Sequence, residues 1–135
     1  MQISAKVENT AGKNQVIVET NGNQKSIQIP AKENGQGSSV NGGELLFLAL
    51  ATCFCNDLYR EAARRKLVLH AVAVRVTGHF GQEGEPASNI SYDVDIKSDH
   101  PEEDISKLIR DVDKVAEIHN TLRQGVQVEL HRTSS

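Results

Sequence analysis

Residues 41–55 read Asn41-Gly42-Gly43-Glu44-Leu45-Leu46-Phe47-Leu48-Ala49-Leu50-Ala51-Thr52-Cys53-Phe54-Cys55, and this stretch decides the fold. Asn41 suits a helix N-cap. Glu44, three residues on, completes the spacing at which the two side chains satisfy each other's backbone N–H groups. From Leu45 onward the residues are apolar on nearly every side of a helical wheel, and a helix apolar all round must be buried all round. The helix is expected over Gly42–Lys66. It turns amphipathic after Asp57 and ends on Arg64-Arg65-Lys66, cations suited to a helix C-terminus. A chain of 135 residues hides such a helix with difficulty by itself. Burial between two copies solves this, because an obligate dimer interface resembles a core cut in half. The expectation is a homodimer through this central helix.

Strand patterns flank the helix. Gln2–Val7, Gln15–Thr20 and Lys25–Ile29 alternate apolar and polar residues. Asn21-Gly22 between the last two supplies the positive φ of a tight hairpin, and Ala31–Ser39 is a polar, Gly-containing loop. Beyond the helix, His70–Phe80 and Asn89–Lys97 read as a hairpin with one wet face. Val72, Val74 and Val76 point to one side of its first strand, and Ile90, Tyr92, Val94 and Ile96 to one side of its second. Pro101 opens a second helix, along which Ile105, Leu108, Ile109, Val112, Val115 and Ala116 form a stripe. Asn120 and Thr121 mark a break or a further short helical piece, and Gly125–His131 reads as a last strand carrying Val126, Val128 and Leu130. The order β-β-β-α-β-β-α-β gives an α+β class with antiparallel sheets around a long central helix, as a single domain over residues 1–135.

Composition narrows the function. The net charge of −3 argues against a partner held by phosphate neutralisation, and three Phe, two Tyr and no Trp make a base-stacking platform unlikely, so no nucleic-acid partner is expected. The longest apolar run is far short of the roughly 20 residues a membrane span needs. The start, Met1-Gln2-Ile3-Ser4-Ala5-Lys6, carries no export pattern, so the expected location is cytoplasmic. Two cysteines are too few for a disulfide scaffold. Cys53 and Cys55, at i and i+2 of the helix, point about 200° apart and cannot easily bridge. Each reads as a small buried hydrophobe, or Cys53 as a nucleophile that would need a nearby cation to become a thiolate. Of the five histidines, His70, His100 and His131 fall at strand ends or caps. None of the five forms a metal-ligand pattern, and no phosphate-cradling glycine motif occurs, so neither a metal nor a cofactor is expected.

The run Asn41–Phe54 resembles the central-helix motif of the OsmC/Ohr superfamily, an Asn-Pro-Glu-Glu-Leu-type start leading to Ala-x-Cys-Phe. Ala116-Glu117-Ile118-His119-Asn120-Thr121-Leu122 resembles the family's Cys-Pro-x-Ser-Asn-Thr-Leu segment. The resemblance covers nearly the whole chain and implies an intertwined homodimer. It also implies thiol peroxidase chemistry on organic hydroperoxides, with Cys53 at the peroxidatic position. The other family positions depart. The resolving thiol falls on Ala116. The family's Glu falls on Gly43, leaving Glu44 displaced by about 100° and suited to capping. No Arg precedes Arg60, so only Lys6, Lys13, Lys25 and Lys32 stand in the region that would supply the family's Arg. A lysine does not reproduce the guanidinium fork that steadies a thiolate and a peroxide. Without a thiol at position 116, the sulfenic acid left after attack is recycled only by an external thiol, or by Cys55 if the helix distorts. Two readings stand. One is a one-cysteine hydroperoxide reductase acting on a small apolar hydroperoxide through Cys53. The other is a non-peroxidase, dimeric protein that binds an apolar small molecule, with Cys53 structural.

Overall fold

The structure is a computed structural model and describes residues 1–132. The order of elements is β1 (Ile3–Thr10), β2 (Lys13–Thr20), β3 (Asn23–Ile27), α1 (Gly42–Arg64), β4 (Ala71–His79), β5 (Ser88–Lys97), α2 (Glu102–Val115) and α3 (Glu117–Gln124). The α+β class and the antiparallel sheets expected from sequence are present. Two compact units are distinguished, Met1–Leu45 and the chain from Leu46 onward.

In the N-terminal unit β1, β2 and β3 form an antiparallel meander in that order. The second turn is Asn21-Gly22, both at positive φ, as the two-residue hairpin requires. Val16 is the buried hydrophobic residue of this sheet, whereas Ile3, Val7 and Ile27 are exposed. The Asn9 side chain ties the following loop down. It accepts from the Gly37 N–H at 3.0 Å and donates to Asn14 Oδ1 at 3.1 Å. At the helix start the Asn41 N–H donates to Glu44 Oε1 at 3.0 Å, and the Glu44 N–H donates to Asn41 Oδ1 at 2.8 Å. This is the reciprocal cap that the spacing of the two residues foretells.

The C-terminal unit holds the main core. Phe54, Leu58 and Ala62 of α1 pack with Leu108 and Val112 of α2 and with Ala116, over the inward residues Val72, Val74, Tyr92, Val94 and Ile96 of the β4–β5 hairpin. Strict alternation along β4, and along β5 from Tyr92 onward, gives this hairpin one covered and one wet face, while Ile90, expected on the inward side, is exposed. Gly78 admits the ring of Phe47: a Cβ there would lie 2.7 Å from Phe47 Cζ. The end of α1 is closed by Lys66 in the left-handed region, with the Leu67 N–H donating to the Ala62 carbonyl at 2.8 Å.

The early turns of α1 are not covered on every side within the chain: Leu48 is 59 % exposed and Leu45 is also open, while Leu50 turns fully inward. Three expectations are corrected. The second helix breaks at Ala116, in extended conformation, earlier than Asn120-Thr121. Val115, counted in the apolar stripe, is 60 % exposed, because the turn at Ala116 carries it off the packed face. Finally, residues 126–131 form no strand. Val128 and Leu130 are 94 % and 96 % exposed, since a strand exists only where another edge accepts its hydrogen bonds, and none does among the described residues.

Candidate functional site

Cys53 lies three helical turns into α1, half-buried, one residue before the fully buried Phe54. The fold brings the second sequence motif to it. The extended residue Ala116 turns the chain so that α3 begins beside the thiol, and a backbone hydrogen bond from Ile118 reaches the sulfur. Ala116 itself is fully buried. The two segments singled out in the sequence thus meet at one point.

The charges gathered there are negative. The Cys53 thiol donates toward Asp57 Oδ2 at 3.8 Å, and Sγ, an Asp57 oxygen and a Glu117 oxygen all lie within 4.8 Å of one another. Burial is the largest influence on the thiol and pushes its pKa up. The Ile118 hydrogen bond, next in size, pulls it down, and the carboxylates of Asp57 and Glu117 push the same way as burial. Asp57, nearly buried, is held by Arg60 at 2.7 Å, so that guanidinium is committed to the carboxylate rather than to the sulfur. A soft divalent ion at this trio would require the thiol to give up its proton. Glu44 is engaged in its cap at the helix start. Cys55 is a separate free thiol.

The second feature of the site was not legible in the motif. His119, in the middle of α3, is only 5 % exposed, and neither ring nitrogen has a hydrogen-bond partner among the described residues. An orphaned buried polar atom costs about 1–3 kcal/mol. The imidazole is packed between aromatic rings, its centroid 4.8 Å from that of Tyr92 and 5.5 Å from that of Phe54. Burial, with Arg123 nearby, lowers its pKa and keeps it neutral, against weaker pulls from Asp113 and Asp57. Helical periodicity carries no signal for it, because the break at Ala116 interrupts the register of α2.

Around His119 the wall of a cavity of about 220 Å³ is completed by Leu50, Ile90, Tyr92, Leu122 and Arg123. The polar rim of this wall is ordered by Asp113. Its carboxylate accepts from Arg123 Nη2 at 2.7 Å and from the Tyr92 hydroxyl, which burial and that carboxylate keep protonated far above the ordinary phenol range. Arg123 Nη1 also donates to the Asp113 carbonyl at 3.1 Å and to Asn120 Oδ1 at 3.2 Å.

This fold and paired motif define the class. The family model described as OsmC-like protein matches residues 35–131, and the chain belongs to the OsmC-like family. Solved structures agree in fold. An OsmC-like protein from Mycoplasma pneumoniae is 24 % identical with a TM-score of 0.61, covering 90 % of this chain and 89 % of that one. An OsmC-like hydroperoxide resistance protein from Jannaschia is 17 % identical with a TM-score of 0.58, covering 98 % and 92 %. An organic hydroperoxide resistance protein from Elizabethkingia anophelis, with thiocyanate bound, is 19 % identical with a TM-score of 0.57, covering 89 % of each chain. No curated protein matches the chain. Among the described residues no helix is long and apolar enough to cross a membrane.

Proposed function

We propose that this chain is a non-peroxidase member of the OsmC-like family, a dimeric protein that binds an apolar small molecule, with Cys53 kept as a protonated, structural thiol. One observation carries the reading: burial, joined by the carboxylates of Asp57 and Glu117 beside the Cys53 sulfur, raises its pKa despite the Ile118 N–H, and the charged groups gathered at the sulfur are both negative. Peroxide attack needs the thiolate, and a thiolate needs a cation or a set of donors. The nearby Arg60 is bound to Asp57, and the position of the family's resolving thiol carries the buried methyl of Ala116.

The competing reading, a one-cysteine organic hydroperoxide reductase with an external thiol, draws support from two facts. Cys53 is partly accessible, and structural neighbours are hydroperoxide resistance proteins. Alkylation rates of Cys53 measured against pH separate the two. The binding reading expects a midpoint above the ordinary thiol value of about 8.5, and no consumption of cumene hydroperoxide with dithiothreitol beyond that of Cys53→Ser. A midpoint near neutrality, or turnover that disappears in Cys53→Ser, overturns it.

The homodimer is supported by the open apolar face of α1, where Leu45 and Leu48 lie exposed on a helix with few polar residues in its first half. Leu48→Asp should leave the fold intact and shift the protein to a smaller species in sedimentation. An unchanged mass would remove α1 as the interface. The free thiols are compatible with a reducing, cytoplasmic compartment.

A further inference from the structure

We propose that the cavity of the C-terminal unit is a site for a small apolar monocarboxylic acid, its carboxylate received by His119 and Arg123 and its body lying against Leu50, Ile90 and Leu122. The proposal deepens the binding reading above by naming the site and the ligand class.

The first support is the imidazole of His119. It is more than nine-tenths buried, unpartnered at both nitrogens, and part of the cavity wall. Buried polar side chains are nearly always paired, so an orphaned ring bordering a cavity points to a group that pairs with it there. A neutral imidazole offers one N–H donor and one acceptor.

Arg123 is the second support. Its guanidinium has five N–H donors. Three are used, toward the Asp113 carbonyl, the Asp113 carboxylate and Asn120 Oδ1. Nε–H and one Nη2 hydrogen make no hydrogen bond of this kind among the described residues, and Arg123 is part of the cavity wall. Its orientation is already fixed by Asp113, so little side-chain entropy is lost on binding.

Size and charge select the ligand. At about 220 Å³ the cavity is below the range of drug-sized pockets, which suits a fragment with one ring or a short chain. The remaining walls are the side chains of Leu50, Ile90, Leu122 and the ring of Tyr92. A single cation already shared with Asp113 favours one negative charge over two, and a dianionic phosphate would meet the Asp113 carboxylate without a second cation to offset it.

The test is titration of the full chain with benzoate and, in parallel, benzyl alcohol, followed by ring resonances of His119 and by thermal shift. Benzoate is expected to bind in the roughly 0.1–1 mM range of a fragment, to move the His119 ring signals, and to bind at least about tenfold more tightly than benzyl alcohol. His119→Leu and the surface variant Arg123→Gln should each weaken binding about tenfold or more. Absence of binding, binding without movement of the His119 signals, equal affinity for the alcohol, or unchanged affinity in both variants overturns the proposal. The same titration on Cys53→Ser separates it from the reading of the thiol. Retained benzoate binding supports the site whatever Cys53 does, and peroxidase turnover in the parent protein sinks the thiol reading while leaving the site in place.

Discussion

Cys53 and His119 are both titratable groups in the C-terminal unit, and each is held in its uncharged form by a different means. The thiol is half-buried and faces carboxylates, so negative neighbours add to burial in opposing ionisation. The imidazole is almost fully buried between two rings, with the Arg123 cation adding to burial in opposing protonation. Each is flanked by the charge that discourages its own charged form. The difference is in what each is left to do. The thiol has a local partner in Asp57. The imidazole has none, and it borders a cavity. Reactivity follows from a stabilised charge, whereas recognition follows from an unused hydrogen bond.

The largest effect is expected from Phe54→Ala. This residue follows Cys53 on α1 and packs on Tyr92 and His119 at once. Truncation of a fully buried Phe should cost about 3–5 kcal/mol in urea unfolding. It should also leave the imbalance at Cys53 standing, since Asp57 and Glu117 remain. A loss of less than about 1 kcal/mol would mean that the aromatic cluster is not what holds His119 in place.

Next in size is pH. The pKa of His119 is lowered on folding from an ordinary 6.5, so the unfolded chain takes up its proton first as pH falls. Its contribution to stability is therefore present above pH 6.5 and is lost as pH drops through that value toward the folded pKa. Melting temperatures at pH 7.5 and 5.5 should differ more in the parent than in His119→Leu. Equal differences would mean that the imidazole is not kept neutral by the fold.

A smaller effect is expected from Asp57→Asn. It removes the carboxylate that both repels a thiolate and accepts from the thiol. Alkylation of Cys53 at pH 7.5 should accelerate about three- to tenfold as its pKa falls. An unchanged rate would place the control of the thiol in burial alone.

The smallest effect concerns Asp111, which accepts from Arg65 at 2.8 Å and from Lys107 at 2.7 Å and sits well away in kind from both sites. These two cations depress its pKa to about 2, so its contribution is present above the ordinary carboxylate value and is lost as pH falls from about 4 toward 2. Being open to solvent on part of its surface, the group should flatten the acid limb of stability only slightly when replaced by Asn.

Much of the fold was legible locally. The Asn41–Glu44 cap, the Asn21-Gly22 hairpin, the Val72/Val74/Val76 face and the Ile105/Leu108/Val112 stripe each depend on residues a few positions apart, where the geometry of helix and strand acts directly. Cys53 was legible as the thiol of interest. Its environment was not, since Glu117 is far away in the chain and reaches the sulfur only through the bend at Ala116. His119 was hidden for a similar reason. Its burial depends on Phe54 and Tyr92, which come from α1 and β5.

The sequence by itself determined the order of elements from β1 to α2, the place of the central helix, the position of its thiol and the absence of a second thiol at residue 116, because these follow from local periodicity and residue identity. Tertiary structure alone decided that the thiol faces carboxylates, that an unpaired imidazole borders a cavity, and that residues 126–131 take no strand within the chain. Charge environment, burial and strand pairing are properties of neighbours brought from elsewhere in the chain, and one-dimensional spacing does not contain them.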